Sequence, residues 1–360
     1  MGRIRSQNYD FLYLADLQLG ERKEFNVPTD KGLNSRLLEG IDIIDQVGEI
    51  ARKYNIKMVF LLGDVFELKD RIPARIMILF AEAVAKFSCP LIILKGNHDF
   101  AEDDYPPIKL LLREGKIDFI SNPWIDFSET SITNGIAFLP YFRKYEQFKE
   151  EWNRLHFLIK GHSKPTKLFL FHNTVPGSKF SNNYKVEGEF DLPTIEGIRY
   201  LAGDIHLPQR VGPIQYLGSP YQVDFGEEGQ EKFVYLHDTT QDILTPIELK
   251  YPKFVSVDIS IINDVSSADV EGNYIRMIGE VLKERKSQAE ECKKILESWN
   301  PKFVISAIKY RSEKKSRIES SKDDHKTVLS EFLQQSETDL DKTRLLEMGL
   351  DLIKGATICK

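Results

Sequence analysis

The chain has 360 residues, 41% hydrophobic and 29% charged, enough for one large core with one or two small appendages. No apolar run reaches the roughly 18 residues of a membrane span, the opening MGRIRSQNYD has no apolar region that reads as a secretory signal, and Cys89, Cys292 and Cys359 match no metal spacing. The net charge of −6 gives no general attraction for a polyanion, so contact with nucleic acid needs local positive charge, from bound cations or a second subunit.

Phe11 to Ala15 is predicted as a buried strand. Asn34 to Tyr54 has helical spacing through Leu37, Leu38, Ile41, Ile44 and Val47. Met58 to Leu62 is a second strand, ending in Gly63-Asp64, and Ala74 to Phe87 a second helix. Leu91 to Lys95 is a third strand, ending in Gly96-Asn97-His98-Asp99. This alternation implies a parallel or mixed sheet with helices on its faces. Further strands are predicted at Gly135 to Pro140, Lys167 to His172, Tyr200 to Ala202, Ile214 to Leu217 and Lys232 to Leu236, enough for two packed sheets.

Composition shifts near Pro252. Phe254 to Ile262 reads as a strand, Ala268 to Trp299 as mostly helical with one break, and Lys302 to Tyr310 as a strand, together a small β-α-β appendage. A charged, Ser-rich linker and two short helices, Thr327 to Gln335 and Asp341 to Lys354, close the chain. The expected organisation is a main domain over residues 1–251, a cap over 252–312, a linker over 313–326 and a helical docking segment over 327–360. Leu329, Phe332, Leu333, Leu345, Leu346 and Ile353 are too apolar for so small a segment to bury alone, so they must pack on the main body or on a partner, and the Ser- and Lys-rich linker before them favours a partner.

Strand ends deliver metal-ligand residue types: Asp16-Leu17-Gln18, Gly63-Asp64, Gly96-Asn97-His98-Asp99, Phe171-His172-Asn173 and Gly203-Asp204-Ile205-His206. In α/β sheets functional groups gather at the carboxyl ends of strands. Buried Asp, Asn and His there need partners, and a pair of divalent cations would satisfy them together. Such a pair can activate a water and stabilise both the attacking and leaving oxygens of a phosphoryl group. Glycine before Asp64, Asn97 and Asp204 permits tight turns and close approach.

The series resembles the calcineurin-like metallophosphoesterases, whose pattern runs Asp-x-His, Gly-Asp, Gly-Asn-His-Asp/Glu, a lone His, then Gly-His-x-His, over about residues 10 to 250. Within that superfamily it is similar to the SbcD-type nucleases of double-strand-break repair. The likeness is carried by Asp16-Leu17-Gln18-Leu19-Gly20, by Gly63-Asp64-Val65-Phe66, and by Tyr216-Leu217-Gly218-Ser219-Pro220 followed by Phe225-Gly226-Glu227. The resemblance implies a two-sheet α/β sandwich with a small cap and a C-terminal docking arm. It implies two divalent cations: Asp16, Gln18, Asp64 and His206 around one, and Asp64, Asn97, His172 and Asp204 around the other. His98 would give a proton to the leaving oxygen, oriented by Asp99. Implied too are cleavage of duplex ends, single strands or hairpins, and a homodimer within a heterotetramer that includes an SbcC-type coiled-coil ATPase. The scattered cysteines read as reduced thiols of a cytoplasmic protein, which is compatible with a nucleoid-associated setting and with a cellular or a virus-encoded origin.

Two positions depart from the pattern: Gln18 and Asp204 stand where the family has histidine. Oxygen-rich ligation favours Mn²⁺ or Mg²⁺, Mn²⁺ first. Arg22, Lys69, Arg71, Arg143, Lys144 and Lys179 flank the motifs and are candidates for holding DNA phosphates. His156, His162, His237 and His325 match no motif and read as loop residues. Rival readings are a small-molecule phosphodiesterase or phosphatase, or a decayed scaffold that bridges DNA and the ATPase.

Overall fold

The computed structural model describes residues 8–30, 32–69, 71–99, 106–112, 116–312 and 325–357, with residues 325 and 353–357 as backbone only. In chain order, β1 (Phe11–Leu14), α1 (Ser35–Lys53), β2 (Met58–Leu62), α2 (Ala74–Ala85) and β3 (Leu91–Leu94) follow the predicted alternation. The side chain of Asn34 caps α1 by accepting from the backbone N–H groups of Arg36 and Leu37. Next come β4 (Ile117–Ile120), β5 (Trp124–Asp126), β6 (Ile136–Leu139), α3 (Tyr145–Gly161), β7 (Leu168–His172), β8 (Arg199–Gly203), β9 (Gln209–Val211), β10 (Ile214–Tyr216), β11 (Val234–Asp238) and β12 (Ile243–Ile247).

These strands make two six-stranded sheets, ordered β12-β11-β1-β2-β3-β4 and β5-β6-β7-β8-β10-β9. Pairing is parallel from β1 to β4 and from β6 through β7 and β8 to β10. Strand alternation sets the layers. Leu12, Leu14, Val59 and Leu61 face a core shared with Ile43, Val47 and Phe80 of the helices. Tyr13, Phe60 and Leu62 point the other way and meet Phe138, Leu170 and Leu201 of the second sheet. Phe169, Phe171 and Tyr200 cover the outer face of that sheet under Trp152 and Leu155 of α3. Burial on both faces explains why these strands read as unbroken apolar runs.

Beyond Pro252 come β13 (Phe254–Asp258), α4 (Ser267–Val270), β14 (Tyr274–Ile278), β15 (Glu280–Leu282), α5 (Lys286–Ser298), β16 (Phe303–Ser306) and β17 (Lys309–Arg311). The mostly helical reading of Ala268 to Trp299 is corrected here. Tyr274–Ile278 is the central strand of a parallel β13-β14-β16 sheet. Val270, Tyr274, Met277 and Val281 mimic helical spacing, but Gly272 and Gly279 adopt positive φ, 70° and 133°, which breaks a helix on both sides.

Two compact units result: Met1–Gly279 with Glu291–Ala307, and Glu280–Glu290 with Ile308–Lys360. Within the first, buried Arg36 of α1 lies over the rings of Phe254 and Tyr274, 5.1 and 4.9 Å from their centroids. It pairs with Glu39 and donates to the carbonyls of Gln222 and Val223 at 3.2 and 3.0 Å. Glu39 also accepts from Tyr274 Oη at 2.6 Å and pairs with Lys302.

The second unit pairs β15 with β17 and holds α6 (His325–Gln335) and α7 (Lys342–Thr357), which meet where Gly349 leaves room for Leu329. Leu333 is buried, Leu329, Leu345 and Leu346 half-buried, and Phe332 exposed. The side chain of Ile353, linker residues 313–324 and Cys359 lie outside the described residues.

Two of the predicted loop histidines are core residues instead. His156 packs against the rings of both Trp152 and Tyr200, and His237 on β11 bonds Tyr13 Oη at 3.0 Å. Cys89 and Cys292 are free and buried. No helix among the described residues is long and apolar enough to cross a membrane.

Candidate metal centre

Parallel pairing brings the carboxyl ends of β1, β2 and β3 to one edge of the first sheet, and those of β7 and β8 to the matching edge of the second. The chain turns sharply just past them. Asp16, Gln18, Asp64 and Asp204 all have left-handed backbone, with φ of 53°, 51°, 54° and 85°. Such conformations cost of order 1–3 kcal/mol each and gather where surrounding structure enforces them. Two glycines supply close approach. A Cβ on Gly63 would strike the His172 ring, and one on Gly96 would strike the Asp64 backbone and carboxylate.

Ligand atoms of Asp16, Asp64 and His172 all lie within 4.8 Å of one another, and all three residues are buried. His172 Nε2 is 3.5 Å from Asp64 Oδ1 and 3.7 Å from Asp204 Oδ1, while its Nδ1 meets the Leu62 carbonyl at 2.6 Å. The carboxamide nitrogen of Asn97, turned towards Asp64, lies 2.6 and 2.7 Å from its two oxygens. Gln18 donates Nε2 to Asp64 Oδ2 at 2.8 Å. The Asp204 backbone N–H donates to Asp16 at 3.0 Å, and its carboxylate accepts from Thr174 Oγ1 at 2.6 Å. Asp64 is thus flanked by Gln18, Asn97, His172 and Asp16. His206 lines the same cleft, an open cavity of about 580 Å³ that also includes Asp64, Asn97, His98 and Asp204.

The electrostatics fit bound positive charge. Burial, reinforced by Asp64 and Asp204, pushes Asp16 up to about 7 although His172 and His206 pull it down. Burial disfavours a charged His172, but Asp64, Asp16 and Asp204 outweigh it and raise the ring to about 9. Without cations, protons must offset this acidity. Divalent cations would replace them, and the carboxylate, amide and imidazole donors suit a hard or borderline ion.

His98 and Asp99 hold roles that differ in part from expectation. His98 lines the cleft, and its Nδ1 meets the Glu67 carbonyl at 2.6 Å, which leaves Nε2 for a ligand. Asp99 is spent on the backbone: Oδ2 accepts from the N–H groups of Asp64 and Gly96, each at 2.8 Å, and Oδ1 from Val65 at 2.9 Å. Orientation of His98 by Asp99 is therefore corrected. The Glu67 carbonyl orients the ring, and Asp99 fastens the β2 and β3 turns together.

Of the candidate phosphate-binding residues, Arg22 lines the cleft, 3.5 Å from Glu67. Lys179 is exposed beside Phe180, Ser181 and Asn182 of the cleft wall. Lys69, Arg71, Arg143 and Lys144 are exposed and do not line it.

The sequence pattern of the calcineurin-like phosphoesterases matches residues 10–208, more than half of the chain. The chain belongs to that family. Among curated relatives of this phosphoesterase is the SbcD component of nuclease SbcCD from Bacillus subtilis (strain 168), 25% identical over 268 residues. The alignment covers 63% of this chain and 65% of that protein, so the chain spans a little under two thirds of the relative's length. Solved structures similar to it include a novel archaeal phosphodiesterase, with a TM-score of 0.34 and 13% identity over 66% of this chain and 99% of that one. Another is the Pseudomonas putida nuclease MPE, with a TM-score of 0.31 and 11% identity over 66% and 87%.

This phosphoesterase also carries site residues outside the motif set. Thr174 holds Asp204, and Glu227 accepts from His206 Nδ1 at 2.7 Å. Buried Lys232 backs Glu227 at 2.9 Å. Only Glu227 had a signal in the sequence, as the last residue of Phe225-Gly226-Glu227.

Proposed function

We propose that this calcineurin-like phosphoesterase is a metal-dependent DNA nuclease of the SbcD type. One observation carries the reading: Asp16, Asn97, His172 and Gln18 converge on Asp64 at the shared edge of two sheets, with His98 on the adjoining cleft. Two cations, Mn²⁺ before Mg²⁺, would supply an activated water and neutralise charge on the phosphoryl oxygens. Asp16, Gln18, Asp64 and His206 would hold one, and Asn97, His172 and Asp204, with Asp64 shared, the other.

The chain itself does the rest. Because Nδ1–H of His98 donates to the Glu67 carbonyl, Nε2 is the ring nitrogen without a partner among the described residues, and in the imidazolium form it would give its proton to the leaving sugar oxygen, leaving the neutral ring. Arg22, with Lys179 nearby, would hold flanking phosphates. The choice of DNA is supported by the likeness to the B. subtilis relative, part of a nuclease. The exposed and half-buried apolar side chains of α6 and α7 support docking on an SbcC-type ATPase. A cap over residues 252–312 and a homodimer as the working form follow from the SbcD-type reading alone.

The test is an assay of the purified chain with Mn²⁺ on duplex, single-stranded and hairpin DNA, beside a generic phosphodiester and a phosphomonoester. DNA cleavage lost in H98A and with chelator is expected. Turnover of the small esters alone would favour the small-molecule reading, and binding of DNA without cleavage the scaffold reading.

A further inference from the structure

The two imidazoles proposed as cation ligands are backed differently. His172 turns Nδ1 to a neutral group, the Leu62 carbonyl at 2.6 Å. His206 turns Nδ1 to a buried carboxylate, Glu227 Oε1 at 2.7 Å. Glu227 comes from the turn Phe225–Glu227 between β10 and β11, and its other oxygen accepts from Val223 N–H at 3.0 Å and pairs with Lys232 at 2.9 Å. Lys232, fully buried, also donates to the His206 carbonyl at 2.9 Å and to Ser219 Oγ at 2.8 Å. His206 is therefore gripped at both ring and backbone.

A buried ion pair is poor evidence of a purely stabilising role, since apolar residues of like shape often do as well. Here the pair fixes something apolar residues cannot. With Glu227 accepting, Nδ1 of His206 carries the hydrogen, so the Nε2 lone pair is left for a cation. A carboxylate behind an imidazole also makes it a stronger donor than a carbonyl does. The donor set at that cation would otherwise be weak, because Gln18 offers only a neutral carboxamide.

We propose that Glu227, held by Lys232, is a positioning residue for His206 that strengthens cation binding on the Asp16–Gln18–His206 side and offsets the weak ligand at Gln18. This rests on the two-cation reading above. A loop fastener with no such role would alter stability but would leave the two cation affinities alike.

The test is a Mn²⁺ titration of the full chain, read by the free-ion electron paramagnetic resonance signal, with E227Q and the double variant E227Q/K232M. The double variant keeps an acceptor for His206 without stranding a buried ammonium. Wild type should bind two Mn²⁺. The variants should hold one as wild type does and the other about 10- to 100-fold more weakly. Wild-type affinity at both, or equal weakening of both, overturns the inference and leaves the two-cation reading intact. Failure of wild type to bind two overturns both. A second readout needs no variant: the imidazole ¹⁵N spectrum of the Mg²⁺-loaded wild-type chain should show His206 protonated at Nδ1, and protonation at Nε2 overturns the inference.

Discussion

Replacing Asp99 by asparagine changes one atom in a carboxylate that three backbone amides share. Its oxygens accept from Asp64, Gly96 and Val65 at 2.8, 2.8 and 2.9 Å, all buried. An asparagine oxygen can serve the Asp64 and Gly96 pair, but its NH₂ then faces the Val65 N–H, donor against donor. Burial, and then Asp64, raise Asp99 to about 7, so the comparison is made at pH 8, where it is ionised and the loss is one hydrogen bond to a charged group, about 1.5–3 kcal/mol. At roughly 2–4 °C per kcal/mol for a domain of this size, D99N should melt about 3–12 °C below wild type. Alanine strips all three bonds and should cost more, roughly 3–6 kcal/mol. Because the amides belong to the turns that carry Asp64 and Asn97, Mn²⁺ affinity should fall in both variants. Differential scanning calorimetry and Mn²⁺ titration read the two effects. A D99N protein with wild-type melting and cation affinity, altered only in turnover, would refute the fastening role and restore Asp99 as the partner of His98.

H98A should lower DNA cleavage about 10²- to 10⁴-fold while leaving Mn²⁺ affinity unchanged, as titration beside a cleavage assay would show. G96A would drive a Cβ into the Asp64 backbone and should abolish binding of at least one Mn²⁺, measured by equilibrium dialysis. R36M removes one partner of the buried Arg36–Glu39 pair, and because Lys302 and Tyr274 still face Glu39 it should destabilise the chain by about 1–3 kcal/mol in urea unfolding, less than an uncompensated buried charge would cost. For pH, Asp16 is raised from 3.8 to about 7 and His172 from 6.5 to about 9, so the folded cation-free chain binds more protons than the unfolded one across that range. Its stability should fall as pH rises through 7 to 9, and Mn²⁺ affinity should rise over the same window as protons cease to compete. Affinity flat between pH 6 and 9 would contradict those shifts.

The sheet core was legible because β1, β2, β3 and β7 are buried on both faces and announce themselves as apolar runs. The cluster around Asp64 was legible because each ligand type directly follows such a run. What escaped had a physical reason in each case. Tyr274–Ile278 reads as helix because its buried residues extend a helical spacing begun at Val270, but it lies between the positive-φ Gly272 and Gly279 and pairs with β13 and β16 as a strand. Helix α3 starts after Lys144 with no side-chain cap to mark it, although Phe148, Trp152, Leu155 and Ile159 bury one face of it. The true partners of Asp99 are backbone amides, which leave no mark on a sequence. Lys232 looks like any surface lysine until folding places it under Glu227.

Left-handed backbone at Asp16, Gln18, Asp64 and Asp204 restricts what those positions can become. Aspartate, asparagine and histidine are the non-glycine residues found most often in that conformation, whereas β-branched and bulky side chains are outliers there. Those same three are also common cation ligands. Torsion angles and coordination chemistry therefore screen the same short roster at this edge. Of the four, Gln18 is the residue least at ease with its own main chain, so Q18N or Q18H should relieve local strain while keeping a group able to bind a metal.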